Sequence, residues 1–217
     1  MRLCGSFSVF FIILVLCQAG KKGEKLKKFK ARGRNNLNIT KVFEEKGRLW
    51  LYKQTQCNIF YFPEKTDSPV EFVQKCIFLK TINISNTDVY FREMMDVNGD
   101  KVEILYRGDF IPEEEGAPKS MNVTDLSVND TSPFEVMELG YSNQGCYVFF
   151  LTRLHEDDEE DDSSGRRNCE MYIRNHKPPG PKCENFFKTN CGEQFYEPYE
   201  ESCKIKKNIK VARKNSE

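Results

Sequence analysis

Residues 88–106 read DVYFREMMDVNGDKVEILY, and this stretch decides the fold. Two runs rich in aromatic and β-branched residues flank Val97-Asn98-Gly99-Asp100. Because Asn and Gly tolerate the positive φ angles of a type I′ turn, the stretch predicts a hairpin of Asp88–Met94 with Lys101–Tyr106. The fold therefore contains antiparallel strands joined by short connections.

Similar runs recur on both sides of this hairpin, and no long helical period interrupts them. Ser85-Asn86-Thr87-Asp88 and Ser142-Asn143-Gln144-Gly145 are further tight turns. The other predicted strands are Leu49–Thr55, Lys75–Ile84, a weak strand near Met121–Thr124, Phe134–Leu139, Gly145–Arg153 and Asn168–Arg174. We therefore predict an all-β fold in which eight antiparallel strands close into an up-and-down barrel, with an open sandwich as the alternative.

Two helices are predicted at the ends of this domain. Asn38–Lys46 has apolar residues at helical spacing, Asn38 as a candidate cap and Gly47 as a stop signal. Lys182–Thr189 follows a proline-rich break and has room for two turns. Both helices are expected to pack outside the barrel or across one of its mouths.

The first nineteen residues have the pattern of a secretory signal peptide. Arg2 precedes an apolar run, Phe7–Leu16, and the small-residue exit Cys17-Gln18-Ala19 follows. The run is about half of the ~20 residues that a membrane-spanning helix needs. Residues 1–19 therefore predict a secreted, extracellular protein without a membrane span.

Seven cysteines lie beyond the signal peptide, and in an oxidising compartment they predict a disulfide framework. Zinc is the weaker reading because the chain has no Cys-x-x-Cys pair and its histidines are His155 and His176. We expect no metal and no other cofactor. An odd count leaves one thiol free, or paired with another chain or a small thiol. The seven are Cys57, Cys76, Cys146, Cys169, Cys183, Cys191 and Cys203.

Four Asn-x-Ser/Thr tripeptides support the same compartment, since a glycan requires an exposed site in a secreted chain. Each tripeptide alone is a common pattern, but the four together favour a glycoprotein. The predicted acceptors are Asn38, Asn83, Asn122 and Asn129.

Charge is balanced overall, with 33 basic and 33 acidic residues, but it is segregated along the chain. Residues 20–37 form a basic extension, Glu156–Asp162 is an acidic loop, and residues 206–217 form a basic tail. Both terminal segments have too few apolar residues to fold, so the predicted barrel domain is 38–205. The basic extension suits a sulfated glycosaminoglycan, anionic lipid or an acidic protein face, or is a solvated tail. Nucleic acid is not an expected partner.

Several short segments, in this order, resemble the tick salivary lipocalins of the histamine-binding-protein family. Leu49-Trp50-Leu51-Tyr52-Lys53 is similar to the family's first strand, and Gly145-Cys146-Tyr147-Val148-Phe149 to its penultimate strand. Cys169-Glu170-Met171-Tyr172 and Tyr199-Glu200-Glu201-Ser202-Cys203 resemble its C-terminal motifs. Lys75-Cys76-Ile77-Phe78 resembles its second strand. The resemblance covers roughly residues 38–205.

The resemblance implies two disulfides. Cys146 would pair with Cys169 and tie adjacent strands, and Cys76 would pair with Cys203 and attach the C-terminal segment to the barrel wall. No pairing among Cys57, Cys183 and Cys191 follows from it.

A closed eight-stranded barrel can hold one small ligand among its inward side chains. An inward carboxylate would suit a cationic amine, helped by aromatic faces, whereas an inward Arg92 would suit a fatty-acid carboxylate. Glu135 and Glu138 lie on opposite faces of one strand, so only one of them can point inward. The candidate ligand-binding residues are Trp50, Tyr52, Phe78, Tyr90, Arg92, Glu135, Tyr147 and Glu170.

No nucleophile motif such as Gly-x-Ser-x-Gly is present, so we expect a binding protein and not an enzyme. The resemblance implies a monomeric salivary scavenger of a small host mediator, either a biogenic amine such as histamine or serotonin or an eicosanoid such as a leukotriene. The alternative is an inhibitor that binds a host defence protein of complement or coagulation through surface loops, with the basic extension binding anionic surfaces. A third possibility is a barrel filled by its own side chains.

Overall fold

A computed structural model describes residues 37–62, 70–154 and 168–204. The predicted signal peptide, the basic extension 20–36, the acidic loop and the basic tail lie outside the described residues. The helices and strands are α1 Ile39–Glu44, β1 Leu49–Gln54, β2 Ile59–Phe62, β3 Val70–Ile84, β4 Asp88–Val97, β5 Asp100–Ile111, β6 Ser120–Asp125, β7 Glu135–Asn143, β8 Cys146–Arg153, β9 Asn168–Arg174, α2 Pro181–Cys191 and a 3₁₀ turn Glu201–Lys204.

Eight strands form a closed antiparallel up-and-down barrel. From β3 to β9 each strand pairs with the next one along the chain, and β1 pairs with both β9 and β3. Leu49 lies opposite Leu79 of β3 and opposite Arg174 of β9, so β1 completes the ring. The predicted barrel is confirmed, and the open sandwich is wrong.

A ninth strand, β2, was not predicted. It pairs only with the first part of β3, from Val70 to Val73, as a short hairpin attached to the ring. Cys76 interrupts β3 with a positive φ of 50°, and the register with β4 shifts between Lys75 and Phe78. This bulge lets the two halves of β3 serve different partners, β2 before it and β1 after it.

The tight turns are as predicted. Asn98 and Gly99 both have positive φ, at 52° and 99°, as do Gln144 and Gly145, at 49° and 80°. These angles match the twist of the flanking strands. The weak strand near Met121–Thr124 is also present as β6, with Met121 and Val123 facing the core.

The short helix α1 closes one end of the barrel. Asn38 Oδ1 caps it by accepting hydrogen bonds from the N–H groups of Thr40 and Lys41, at 2.9 and 3.3 Å. Its apolar face, which includes Val42 and Phe43, joins the inner core. Arg174 at the end of β9 holds this plug in place: its Nη1 donates to the carbonyl of Glu45 at 2.9 Å.

The longer helix α2 packs on the outer wall of the barrel, as expected. Phe187 joins an outer core beneath it with Trp50, Val148, Met171 and Ile173, all of them buried. The outer faces of β1, β8 and β9 are therefore covered by an apolar core of their own. We call this packed layer the outer cluster.

Three disulfides join the described residues, and they correct one predicted pairing. Cys76 does bond to Cys203, as predicted, but Cys146 bonds to Cys183 and Cys169 bonds to Cys191. Cys146 lies opposite Ile173 and Cys169 lies opposite Phe150, so the two cysteines stand at opposite ends of the β8–β9 ladder. Four residues of strand separate them by about 13 Å, far beyond the reach of a disulfide.

The helix α2 supplies the disulfide partners of Cys146 and Cys169 because its length matches the distance between these two cysteines. Its eight-residue interval from Cys183 to Cys191 spans about 12 Å. The two bridges therefore fasten both ends of α2 to the wall. Cys57 is in none of these three bridges but is not a free thiol, and its Sγ lies 3.4 Å from the Ile59 amide nitrogen. That one of the seven cysteines pairs with another chain or a small thiol stays a prediction.

Among the described residues, no helix combines the length and apolar character needed to cross a membrane.

Candidate ligand-binding site

A cavity of about 220 Å³ occupies the end of the barrel opposite α1. Apolar and polar side chains contribute about equally to its wall. The apolar part of the lining consists of Phe60, Ile77, Leu79, Phe91, Met95, Ile104, Val123, Phe134 and Met137. Gln54, Gln56 and Gln74 lie among these residues. Against this background, the ionisable side chains stand out.

Glu93 of β4 projects into the cavity from the middle of its strand. It shares the inward face with Val89, Phe91 and Met95, all of which are buried. Removal from bulk water, together with the negative charge of Glu170, raises the pKa of Glu93 to about 7. A hydrogen bond from the Tyr106 hydroxyl opposes this shift.

Glu170 of β9 is the second carboxylate in the cavity. Its Oε2 accepts a 2.7 Å hydrogen bond from the Tyr172 hydroxyl. Removal from bulk water raises the pKa of Glu170 to about 7, against the opposing effects of the Tyr172 hydrogen bond and the charge of Arg153. Burial and the neighbouring Glu170 charge also raise the pKa of Tyr172, so this phenol stays a hydrogen-bond donor.

Glu135 of β7 is the third carboxylate, and it lies near the mouth of the cavity. Its Oε2 is 3.6 Å from Nε of Arg153, which stands opposite it on β8. Among the described residues that line the cavity, three are carboxylates and Arg153 is the single cation. The fully ionised cavity would therefore carry two net negative charges.

Of the predicted ligand-binding residues, Glu135 and Glu170 line the cavity, and several aromatic ones do not. Trp50, Tyr52 and Phe78 belong to the outer cluster or pack against it. The Trp50 ring contacts Phe78 and His176, with centroid distances of 4.7 and 4.6 Å. Placing these three in the cavity was wrong because α2 and the C-terminal segment cover the outer wall, which makes outward aromatic residues as buried as inward ones.

The other predicted residues also lie away from the cavity. Arg92 is on the outer face of β4, where its Nη1 is 3.1 Å from Oε1 of the Glu103 side chain, and Tyr90 shares that face. Tyr147 is inside the barrel but at the closed end, where its hydroxyl donates to Glu45 at 2.9 Å. An inward Arg92 for a fatty acid is therefore excluded by the strand's register.

Glu93, Tyr106 and Tyr172 were not predicted. A signal for Glu93 was present: Val89, Phe91 and Met95 make one face of β4 apolar, whereas Asp88, Arg92 and Asp96 make the other face polar. Glu93 is the exception on the apolar face. The sequence gives no comparable signal for Glu170. The inward face of β9 is more polar than its outward face, so a carboxylate is not an exception there.

The fold and this site define the protein class. A closed eight-stranded up-and-down barrel with one plugged end and a ligand-sized cavity at the other is the architecture of the lipocalins. The family model described as tick histamine binding protein matches residues 73–205, which is more than half of the chain. The chain therefore belongs to the tick histamine-binding protein family. No curated protein sequence matches it.

Two solved structures are similar at low sequence identity. One is Japanin from Rhipicephalus appendiculatus bound to cholesterol, with 11% identity and a TM-score of 0.46, covering 75% of this chain and 98% of that chain. The other is the siderocalin Ex-FABP, described as functioning through dual ligand specificities, with 9% identity and a TM-score of 0.43, covering 69% of this chain and 90% of that chain.

Proposed function

We propose that this lipocalin binds a small cationic amine in the open half of its barrel. The observation that supports this proposal is the charge of the cavity, where the described lining residues include the carboxylates Glu93, Glu135 and Glu170 and one cation, Arg153. A positively charged ligand would compensate Glu93 and Glu170, which are removed from bulk water in the folded protein. An anionic ligand such as an eicosanoid acid would be repelled.

The dimensions of the cavity also favour a small ligand. Sites for drug-sized molecules measure about 300–1,000 Å³. At about 220 Å³ the cavity is below this range. A biogenic amine such as histamine or serotonin is therefore a better candidate than a leukotriene.

Aromatic rings add to the recognition. Phe91, Tyr106 and Phe134 form a chain of rings along the cavity wall, with centroid distances of 5.6 and 5.8 Å. A ring face attracts an ammonium group within about 6 Å of its centroid. The amine would be held by carboxylates and rings together and released unchanged, because the proposed role is stoichiometric scavenging without turnover.

The proposed role also includes secretion in tick saliva, which suits the disulfides and the predicted signal peptide. Of the four predicted glycan acceptors, Asn83 and Asn129 are exposed, and we propose that these two carry glycans. Asn38 uses its side-chain oxygen as the cap of α1. Asn122 is only half exposed on β6.

Isothermal titration calorimetry at pH 8 tests the proposal. Serotonin, histamine and arachidonic acid are titrated separately into the intact protein. We expect saturable heat at one site per chain for an amine and none for the fatty acid. Saturation by arachidonic acid with no response to either amine would contradict the proposal.

Two matched variants test whether the amine that produces the binding heat is bound in the cavity. Glu93→Gln removes a charge inside the barrel, and Glu103→Gln removes one from the outer wall, where Glu103 pairs with Arg92. We expect Glu93→Gln to weaken amine binding at least tenfold and Glu103→Gln to leave the dissociation constant unchanged. Equal effects of the two substitutions would place the binding site elsewhere.

A further inference from the structure

We propose that the empty barrel holds protons on Glu93 and Glu170 and exchanges them for the positive charge of an arriving amine, so that capture is tight above neutral pH and weak below it. This inference rests on the proposed amine site and specifies how that site is regulated. Each exchange is balanced: one O–H bond of a carboxylic acid breaks, the proton passes to the solvent, and the ammonium group takes its place beside the carboxylate.

The geometry around Glu93 gives it little compensation. On the neighbouring strands its Cα partners are Leu79 of β3 and Ile104 of β5, both of them apolar. The polar and charged groups that act on it are Tyr106 of β5, Asp125 of β6 and Glu170 of β9. Apart from the Tyr106 hydrogen bond, these groups oppose a negative charge on Glu93.

Glu170 has one nearby cation, but that cation also has another partner. Arg153 of β8 acts on Glu170 and also pairs with Glu135 of β7. On β1 the Cα partner of Glu170 is the uncharged Gln54. Arg153 therefore compensates Glu170 only in part, since burial still raises the pKa of Glu170, and a proton or a cationic ligand can neutralise the remaining charge.

The pKa values agree with this geometry. Both carboxyl groups have their pKa raised to about 7, so near neutral pH each is protonated for about half of the time when the barrel is empty. A cation beside the group favours its ionised form and therefore lowers the pKa. Amine binding therefore favours loss of the carboxyl proton, and loss of that proton in turn raises the affinity for the amine.

The expected change in amine affinity with pH follows from the titration of the two carboxyl groups. For each coupled carboxylate with a pKa of about 7, the apparent affinity falls about tenfold from pH 8 to pH 6. Serotonin is the appropriate probe because an alkyl amine has a pKa of about 10, near that of lysine, and keeps its charge throughout this range. Histamine is unsuitable, since its imidazole titrates in the same window, at about pH 6.5 by comparison with histidine.

The first measurement uses the protein without ligand. Carboxyl ¹³C signals of the intact protein are followed by NMR from pH 4 to pH 9, and the variants Glu93→Gln and Glu170→Gln assign them. We expect the titration midpoints of Glu93 and Glu170 both to lie near pH 7. Midpoints near the ordinary value of 4.5 would overturn the inference without touching the proposed function.

The second measurement is calorimetry of serotonin at pH 7 in two buffers that differ in their heat of ionisation. We expect release of about half a proton to one proton per amine bound, and about half as much in Glu93→Gln. The outer-wall variant Glu103→Gln should behave like the original protein. Serotonin binding with no proton release would overturn the exchange alone, whereas no saturable binding at pH 6 or pH 8 would overturn both the exchange and the proposed function.

Discussion

The cavity and the outer cluster are both rich in aromatic residues, but they treat charge differently. Beneath α2, the buried Lys53 has Oε2 of Glu184 at 2.8 Å and Oε1 of Glu197 at 3.5 Å from its Nζ. In the cavity, Glu93 has carboxylates among its neighbours and no such counter-ion among the described groups that act on it. The buried charge beside the outer cluster is therefore compensated, whereas that of Glu93 in the cavity is not.

This difference shows which feature distinguishes the ligand-binding site from a structural core. Aromatic residues occur wherever apolar surface is buried, so they do not separate a core from a binding site. An enclosed carboxylate without a nearby cation lowers the stability of the empty protein, and a ligand of opposite charge can recover that loss. The following changes separate the two regions, because those in the outer cluster should alter stability alone.

The largest effect should come from opening the disulfide that attaches the C-terminal segment to the wall. Cys76 and Cys203 are 127 residues apart, and a loop of this length corresponds to about 5 kcal/mol of unfolded-state entropy. We expect Cys76→Ala/Cys203→Ala to lose roughly that stability in urea denaturation. The pair Cys169→Ala/Cys191→Ala, with a 22-residue separation, should lose about 3 kcal/mol. A larger loss for the shorter loop would contradict the ranking.

Truncation of the central aromatic residue of the outer cluster should be nearly as costly. Trp50 is 2% exposed and packs against Phe78 and His176. Trp50→Ala should lower the free energy of unfolding by about 3–5 kcal/mol. At a temperature where the variant is folded, its serotonin dissociation constant should equal that of the original protein. A tenfold weaker affinity would show that the outer cluster takes part in binding.

Removal of the cavity charge should act in the opposite direction on stability. The folded-state pKa of Glu93 lies above its ordinary value of 4.5, at about 7, so the empty folded protein binds more protons than the unfolded chain between these pH values. The free energy of unfolding therefore falls as pH rises through this window. Glu93→Gln should avoid the loss and be more stable at pH 8 by on the order of 3 kcal/mol.

Urea denaturation of Glu93→Gln at pH 4 and pH 8 checks this expectation. At pH 4 both states of the original protein carry a protonated Glu93, so the two proteins should be nearly equal in stability. A variant that is less stable at pH 8 would mean that the Glu93 charge is already compensated in the empty barrel.

The smallest effect should come from the ion pair under α2. Glu184→Gln removes the nearest partner of Lys53, whose side chain is 11% exposed, but it leaves Glu197 in place. We expect a loss of about 1 kcal/mol and an unchanged affinity for serotonin. The control is Lys188→Gln, because the Lys188–Glu193 pair is exposed on both sides and should contribute close to nothing.

Much of the barrel could be predicted because turns and alternation are local signals. Asn98, Gly99 and Gly145 have the positive φ angles that their residue types favour, and the strands between these turns follow. The hairpin of β2 with β3 could not be predicted from such local sequence signals. It depends on a bulge at Cys76, where a non-glycine residue adopts a positive φ angle.

The site was less predictable because it depends on which face of each strand turns inward. Covering by α2 makes both faces of β1 and β9 apolar or buried, so the outward Trp50 looks like an inward residue. The true pairing of Cys146 was hidden for a related reason, since it depends on where α2 lies across the strands. On β4, whose outer face is polar, the alternation alone is enough to identify Glu93 as an inward carboxylate.

A crystal structure of the serotonin complex at pH 8 tests the central claim most directly. The account predicts electron density inside the barrel, with the ammonium nitrogen about 2.8 Å from a carboxylate oxygen of Glu93 or Glu170. Serotonin bound instead on the outer wall between Tyr52 and Tyr199, with the cavity unchanged, would contradict it.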